Sequence, residues 1–270
     1  MEMTDVKAQG LVLLGCGKMG SAMLQGWLAD GFPPEAVTVV DPNPSDWLAA
    51  QGVRLNATLP ERPAIVLVAV KPQMMAEALP SLAALGGGET LFLSVAAGTP
   101  IAFYESVLGA ATPVIRAMPN TPAAVGRGIT AIVGNARTSA AEMDLAKHFL
   151  SAVGQVIRLE GEAQMDAVTG LSGSGPAYLF HMVEAMARAG MAQGLPEDLA
   201  MQLARATVAG AGELLHQSEE SAAQLRINVT SPNGTTAAGL EVLMDEVTGL
   251  PRLMEKVVAA AADRSRELAK

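Results

Sequence analysis

Aromatic side chains are scarce in this sequence. Two tryptophans, two tyrosines and five phenylalanines make up 3% of 270 residues, while half of the chain is apolar. The interior therefore has to be built from Ala, Leu, Val and Met, small or flexible side chains that let helices approach closely. Cysteine is scarcer still. Cys16 stands alone, which excludes an intramolecular disulfide and a thiolate metal cluster and fits a reducing compartment. Positive charge is in deficit: 18 Lys and Arg face 27 Asp and Glu, for a formal net charge of −9. No basic tract offers itself to a nucleic acid. The three histidines, His148, His181 and His216, stand at helical positions with no partner at metal-ligand spacing. No metal is expected, and these residues read as structural or exposed. No Ser/His/Asp or Cys/His nucleophile arrangement is present. No run approaches the roughly 20 apolar residues of a membrane span, and Met1 to Gln9 lack a hydrophobic signal core. The expectation is a soluble cytoplasmic protein of one large or two modest domains.

Within those limits the first half alternates short β-branched runs with helical stretches. Leu11 to Leu14 is a continuous apolar run, followed at once by Gly15-Cys16-Gly17-Lys18-Met19-Gly20 and then by helical spacing from Ser21 to Asp30. Strand, glycine turn and helix are the context that makes a GxGxxG match a dinucleotide fingerprint. Gly15 permits the tight turn, Gly17 lets backbone meet a pyrophosphate, and Gly20 lets helix pack on strand. The helix start offers N–H groups and a partial positive charge to the phosphates. Val37 to Val40 is the next strand and ends on Asp41, about 20 positions beyond the glycines, where a carboxylate holds the adenosine ribose hydroxyls. It would repel a 2′-phosphate, so the sequence leans to NADH over NADPH. Asp41-Pro42-Asn43-Pro44 is also a turn by composition, and both readings can hold together.

Further strands are expected at Ala64 to Val70, Thr90 to Val95, Pro113 to Met118, Gly128 to Gly134 and Gln155 to Leu159. The first ends in Lys71-Pro72, a cation and a rigid turn at the edge where ligands bind in open α/β sheets. Thr99 can cap a helix beginning at Pro100. Asn120, after the third, is either a ligand contact or an Asx turn. Ser139 and Glu142 are spaced as a capping box. The alternation argues for a Rossmann-type domain over residues 1–160.

Residues 161–270 read as helix upon helix, rich in Ala, Met and Leu. The junction stretch Gly170-Leu-Ser-Gly-Ser-Gly-Pro-Ala-Tyr178 is either an interdomain turn or backbone that approaches something closely. Ala-rich helices of this length cannot hide all their apolar faces in one monomer, so a homodimer built on this half is expected. Ser231-Pro-Asn-Gly-Thr-Thr236 places hydroxyls and a glycine before a helix, which could hold a carboxylate on backbone N–H groups. Thr235 or Thr236 is equally a helix N-cap.

Five stretches together, the Gly15–Gly20 fingerprint, Ala69-Val-Lys-Pro72, Met118-Pro-Asn-Thr-Pro122, Leu171 to Tyr178 and Ser231 to Thr236, resemble the pyrroline-5-carboxylate reductase family nearly end to end. The resemblance implies a Rossmann domain followed by a helical domain that interlocks with a second subunit, often within larger rings. It implies NAD(P)H-dependent reduction of pyrroline-5-carboxylate to proline, the last step of proline biosynthesis. By the same resemblance Gly15 to Gly20 would hold the pyrophosphate, and Asn56, Val70, Lys71 and Ala97 would line the ribose and nicotinamide side. Pro72 and Asn120 join the cofactor set. Ser231 and the backbone around Gly234, Thr235 and Thr236 would grip the substrate carboxylate. The Thr236 hydroxyl would reach the ring nitrogen, with Glu219 and Asn228 supporting the pocket.

Two positions depart from the family pattern. Asn233 replaces the first glycine of the usual Ser-Pro-Gly-Gly, which matters only if that residue needs φ > 0, a conformation Asn tolerates better than most residues. Asp41 stands where NADPH-using members often carry a small hydroxyl residue. A related 3-hydroxyacid dehydrogenase would need a lysine base four residues beyond Gly175, where this chain has Leu179, so that rival is disfavoured. A general imine reductase would satisfy the same site logic. A nucleotide sensor would not need Ser231 and Thr236.

Overall fold

The computed structural model describes residues 3–268. Its eight strands are β1 (Leu11–Leu14), β2 (Val37–Val40), β3 (Arg54–Leu55), β4 (Ile65–Val68), β5 (Leu91–Ser94), β6 (Val114–Met118), β7 (Gly128–Gly134) and β8 (Gly154–Arg158). They form one sheet in the order β3-β2-β1-β4-β5-β6-β7-β8. The first six are parallel, β7 runs antiparallel to β6, and β8 is parallel to β7. This is the Rossmann order with two strands added at one edge. Continuous apolar runs make the central strands because both faces are covered. Leu11, Leu13, Ile65, Leu67 and Leu93 face one layer with Trp27 and Phe149, whereas Val12, Leu14, Val66, Val68 and Phe92 face the other with Tyr104. The few aromatics are concentrated. Trp27 and Phe32 both pack edge-on against Phe149, at 5.5 and 5.6 Å between centroids, and the Trp27 indole donates to the Phe149 carbonyl at 2.8 Å.

The chain leaves β1 toward β2 on one side and enters β4 on the other, so a crevice opens between them at the carboxyl edge. Parallel strands place Gly15, Asp41, Asn56, Val70, Ala97 and Asn120, each just beyond a strand end, along that same edge.

Ser139 and Glu142 form the expected capping box on helix Ala140–Ser151. The Thr99 cap is not made. Helix Ile101–Leu108 has Pro100 at its N-cap with no side-chain hydrogen bond. Thr99 is buried instead, and its hydroxyl favours the charged form of the Tyr104 phenol. A proline N-cap has no hydroxyl to offer, and a buried hydroxyl bonds whatever polar group the core places beside it.

Two compact units emerge, Met1–Gly173 with Ala261–Lys270, and Ser174–Ala260. In the second unit helices Gly175–Ala192 and Glu197–Gln217 are joined by a turn at Gly194, φ 95°. They pack on Ala187, Ala200 and Ala204. A Cβ on Gly190 would lie 3.2 Å from the Leu195 side chain, so small residues set how closely this hairpin closes. Helices Ala222–Asn228 and Thr235–Leu243 follow, then the terminal helix Leu250–Leu268. Its last turns belong to the first unit, where the Ser265 hydroxyl donates to Asp166 at 2.6 Å.

Candidate functional site

The glycine loop connects β1 to helix Lys18–Ala29, and each of its three glycines meets a different demand. Gly15 has φ +84°, a left-handed conformation that side chains resist, and a Cβ there would approach Val70 to 2.8 Å. A Cβ on Gly20 would press into the Gly15 carbonyl at 2.6 Å. Gly17, the helix N-cap, has an extended backbone, no side-chain capping bond and nothing within 4 Å of a built Cβ. The first and third glycines are therefore required by packing. The second keeps open the space in front of the helix's first N–H groups, where a pyrophosphate fits. Lys18 and Met19 are the first residues of that helix.

Asp41 is pinned beside this loop. One carboxylate oxygen accepts the Cys16 N–H at 2.7 Å and the other accepts the Asn43 N–H at 2.8 Å, so the turn is made and the carboxylate is held beside the glycine loop. Asn56, itself at φ 48°, grips the Asp41 backbone from the end of β3. Its carbonyl accepts the Asp41 N–H at 2.9 Å and its amide donates to the Asp41 carbonyl at 2.8 Å. Four hydrogen bonds thus fix a carboxylate at the tip of β2. Cys16 is buried. Burial pushes its thiol above the ordinary range, a hydrogen bond with Ser21 opposes this, and the Asp41 charge adds to it. It is a packing residue and not an activated nucleophile.

Across the crevice Val70 and Ala97 are half-buried, while Lys71 and Pro72 are exposed at the start of a short 3-10 turn, Pro72–Met74. Asn120 is committed to protein: its carbonyl accepts the Ile129 N–H at 2.9 Å and its amide donates to the Ser172 carbonyl at 3.2 Å. Neither bond is an Asx turn. Asn120 ties the end of β6 to a π-helical turn, Thr169–Gly173, a local geometry frequent at functional sites. A Cβ on Gly173 would meet the terminal methyl of Met118, the movable end of a flexible side chain.

In the second unit Ser231-Pro232-Asn233-Gly234 is a turn closed by the Gly234 N–H on the Ser231 carbonyl at 3.0 Å. Asn233 has φ 57°, so the position does need φ > 0, and asparagine meets that need. Helix Thr235–Leu243 begins immediately, with Gly234 as N-cap and no side-chain cap. Neither threonine is the N-cap, because the preceding turn places the helix boundary at the glycine. Ser231, Thr235 and Thr236 are exposed. Glu219 and Asn228 are exposed as well, and Asn228 bonds Glu220 at 2.9 Å and Gln224 at 2.7 Å.

One ion pair lies outside the residues the sequence singles out: Arg116, its side chain buried, with the partly exposed Glu162 at 2.8 Å. Its signal was present: a lone arginine inside the apolar run of β6.

Among the described residues no group of three or more His, Cys, Asp or Glu could hold a metal, and no helix is long and apolar enough to cross a membrane. Comparison with known proteins gives a consistent answer along the whole chain. Residues 162–268 match the family described as pyrroline-5-carboxylate reductase dimerisation, and residues 10–98 match NADP oxidoreductase coenzyme F420-dependent. The chain is 39% identical to a pyrroline-5-carboxylate reductase of Pseudomonas aeruginosa, covering 96% of both chains. It is 41% identical to one of Synechocystis over 96% of this chain and 98% of the other. In structure it is similar to a pyrroline-5-carboxylate reductase from Coxiella burnetii, with a TM-score of 0.89 and 34% identity over 97% and 99% of the two chains. A Plasmodium falciparum pyrroline carboxylate reductase with NADP bound gives 0.82 and 26% over 98% and 100%.

Proposed function

The chain belongs to the pyrroline-5-carboxylate reductase family, and we propose that it works with NADH held on the glycine loop and a substrate held by the Ser231–Thr236 turn. Its activity is the NAD(P)H-dependent reduction of L-1-pyrroline-5-carboxylate to L-proline, the last step of proline biosynthesis. When bound, the reduced nicotinamide supplies the hydride that adds to the C=N carbon.

The protein's own task is positioning. A protonated cyclic imine is already an electrophile, so no strong acid is needed, and orienting two bound molecules accounts for most of the acceleration. Gly15 to Gly20 hold the pyrophosphate on backbone N–H groups, and Asp41 holds the adenosine ribose. Asn56, Val70, Lys71, Pro72, Ala97 and Asn120 shape the remainder of the cofactor cleft. Ser231, Gly234 and Thr235 hold the substrate carboxylate, the Thr236 hydroxyl hydrogen-bonds the ring nitrogen, and Glu219 and Asn228 support the pocket. The observation that carries this reading is the uncapped start of helix Thr235–Leu243. A threonine that does not cap its helix keeps its hydroxyl for a ligand.

The preference for NADH rests on the fixed Asp41 carboxylate, which cannot swing away from a 2′-phosphate without breaking two hydrogen bonds. The functional division lies near residue 160, with residues 1–160 binding cofactor and residues 161–270 carrying substrate and dimer contacts. The assembly is a homodimer through the helical half, open to closure into a ring of dimers, and it works in the cytoplasm on a small molecule.

Two variants test the assignment by steady-state kinetics. Thr236→Val is expected to lower kcat/KM for pyrroline-5-carboxylate about 100-fold, the scale of a lost proton-handling group, with the NADH KM little changed. Asp41→Ser is expected to move the NADH-to-NADPH preference toward NADPH by about tenfold, ~1.4 kcal/mol. Wild-type kinetics in the Thr236 variant would remove that residue from the site, and an unchanged cofactor ratio would remove Asp41 from cofactor choice.

A further inference from the structure

One group of buried polar residues in the first unit, Ser94, Thr99 and Arg116, gathers around the carboxyl end of β5. Arg116 sits in the middle of β6, paired in register with Ser94 at the end of β5, and its side chain is only 5% exposed. One guanidinium nitrogen donates to Glu162 Oε1 at 2.8 Å, and the other is buried with no protein partner. The same Glu162 oxygen accepts the Ile101 N–H at 2.9 Å. Ile101 opens the helix that lacks a side-chain cap of its own, so Glu162 serves that end from a position 61 residues further along the chain. Beside them the Ser94 and Tyr104 hydroxyls lie 2.5 Å apart, Ser94 accepts the Ala96 N–H at 3.2 Å, and Thr99 is buried close by in the chain.

These bonds share one object. Ser94 and Ala96 precede, and Thr99 and Ile101 follow, the short turn Ala97-Gly98 at the carboxyl end of β5, with Gly98 at φ +75°. Stability alone does not call for an ion pair here, since apolar residues of similar volume often serve a core equally well. A charged pair has what an apolar contact lacks, a single geometry.

We propose that Arg116 and Glu162 are positioning residues for hydride transfer, fixing the Ala97-Gly98 turn against which the nicotinamide end of the cofactor is oriented. The inference rests on the cofactor reading of the β-strand carboxyl edge. Arg116 orients Glu162, and Glu162 fixes the Ile101 N–H and with it the far end of the turn. Neither residue touches the reacting atoms. Both act through the backbone between residues 95 and 101, where a displacement of about 1 Å is enough to cost about 100-fold in rate.

The test compares Arg116→Met, Glu162→Ala and Glu162→Gln in the full-length protein. Hydrogen exchange of the cofactor-free protein is read first, because it does not depend on turnover. The amides of residues 95–99 and 101 are expected to exchange at least about tenfold faster in Arg116→Met and Glu162→Ala, with β1 and β4 unchanged. In turnover both variants are expected to lose about 100-fold in kcat and to raise the NADH KM while leaving the imine KM near wild type. The deuterium isotope effect on kcat with 4-deuterated NADH is expected to rise as hydride transfer becomes rate-limiting. A smaller folded fraction would change neither that isotope effect nor the NADH KM. Glu162→Gln keeps an acceptor oxygen and is expected to recover most of the rate. Glu162 is a third exposed, so its variants carry the test even if Arg116→Met does not fold. Unchanged exchange at residues 95–101, or an unchanged isotope effect and NADH KM in the Glu162→Ala enzyme, overturns the proposal. Loss of the wild-type enzyme's own imine turnover would instead count against the assigned reaction, and the exchange result would still decide the role of the pair.

Discussion

Single residues in the glycine loop separate what the fold needs from what the ligand needs. Gly20 has a carbonyl oxygen where its Cβ would be, and Gly17 has open space. Gly20→Ala is therefore expected to destabilise the protein by about 1–3 kcal/mol, as overpacked sites do. Gly17→Ala is expected to leave the melting temperature within about 2 °C while weakening NADH binding at least tenfold, about 1.4 kcal/mol, as measured by nicotinamide fluorescence titration. Equal stability losses in the two variants would contradict this division. Cys16 gives a second residue-level expectation. Because burial raises its thiol, alkylation by iodoacetamide at neutral pH should run well below the rate of an exposed cysteine and recover only as the protein unfolds. These roles were legible to different degrees. The loop's spacing and surroundings gave away its glycines, and the acid at the tip of β2 gave away Asp41. The grip of Asn56 on Asp41 was not legible, because strand β3 is two residues long and its register is set by tertiary contact.

At the level of elements, β1 and β4, buried on both faces, announce themselves as unbroken apolar runs, and seven of the eight strands lie where the sequence pattern predicts one. Caps were less predictable. Ser139 with Glu142 closes a box because both partners lie within one helical turn. Ser139→Ala should cost about 1 kcal/mol and lower the melting temperature by about 2–4 °C without changing kcat. Thr99 fails as a cap because the next residue takes the N-cap and the carboxylate serving that helix arrives from Glu162. No local pattern carries a bond across 61 residues. The Ser231–Thr236 turn was half legible: its hydroxyls allowed either cap or site, and the helix boundary at Gly234 removes the cap.

For the whole molecule the burden falls on the second unit. Its core cluster comprises Ala187, Ala200 and Ala204, whereas Leu179, Phe180, Leu199, Leu203 and Val242 are all more than 40% exposed. Helices this thinly buried need an apolar partner, in keeping with the dimerisation family that residues 162–268 match. Light scattering should give about twice 27.7 kDa or a larger even multiple, and Leu203→Glu should drive the protein to monomer or aggregate with loss of activity. A fully active monomer would contradict the assembly. The composition points the same way, since Ala-rich helices have little side chain to bury among themselves.

The central claim is chemical, that this chain reduces a cyclic imine to proline with a nicotinamide cofactor and favours NADH. It is tested most directly by mixing the purified full-length protein with racemic pyrroline-5-carboxylate and either NADH or NADPH, following cofactor oxidation and proline together. One proline per cofactor oxidised, with the higher kcat/KM for NADH, is the expected result. Protein that binds either nucleotide and forms no proline would contradict the claim.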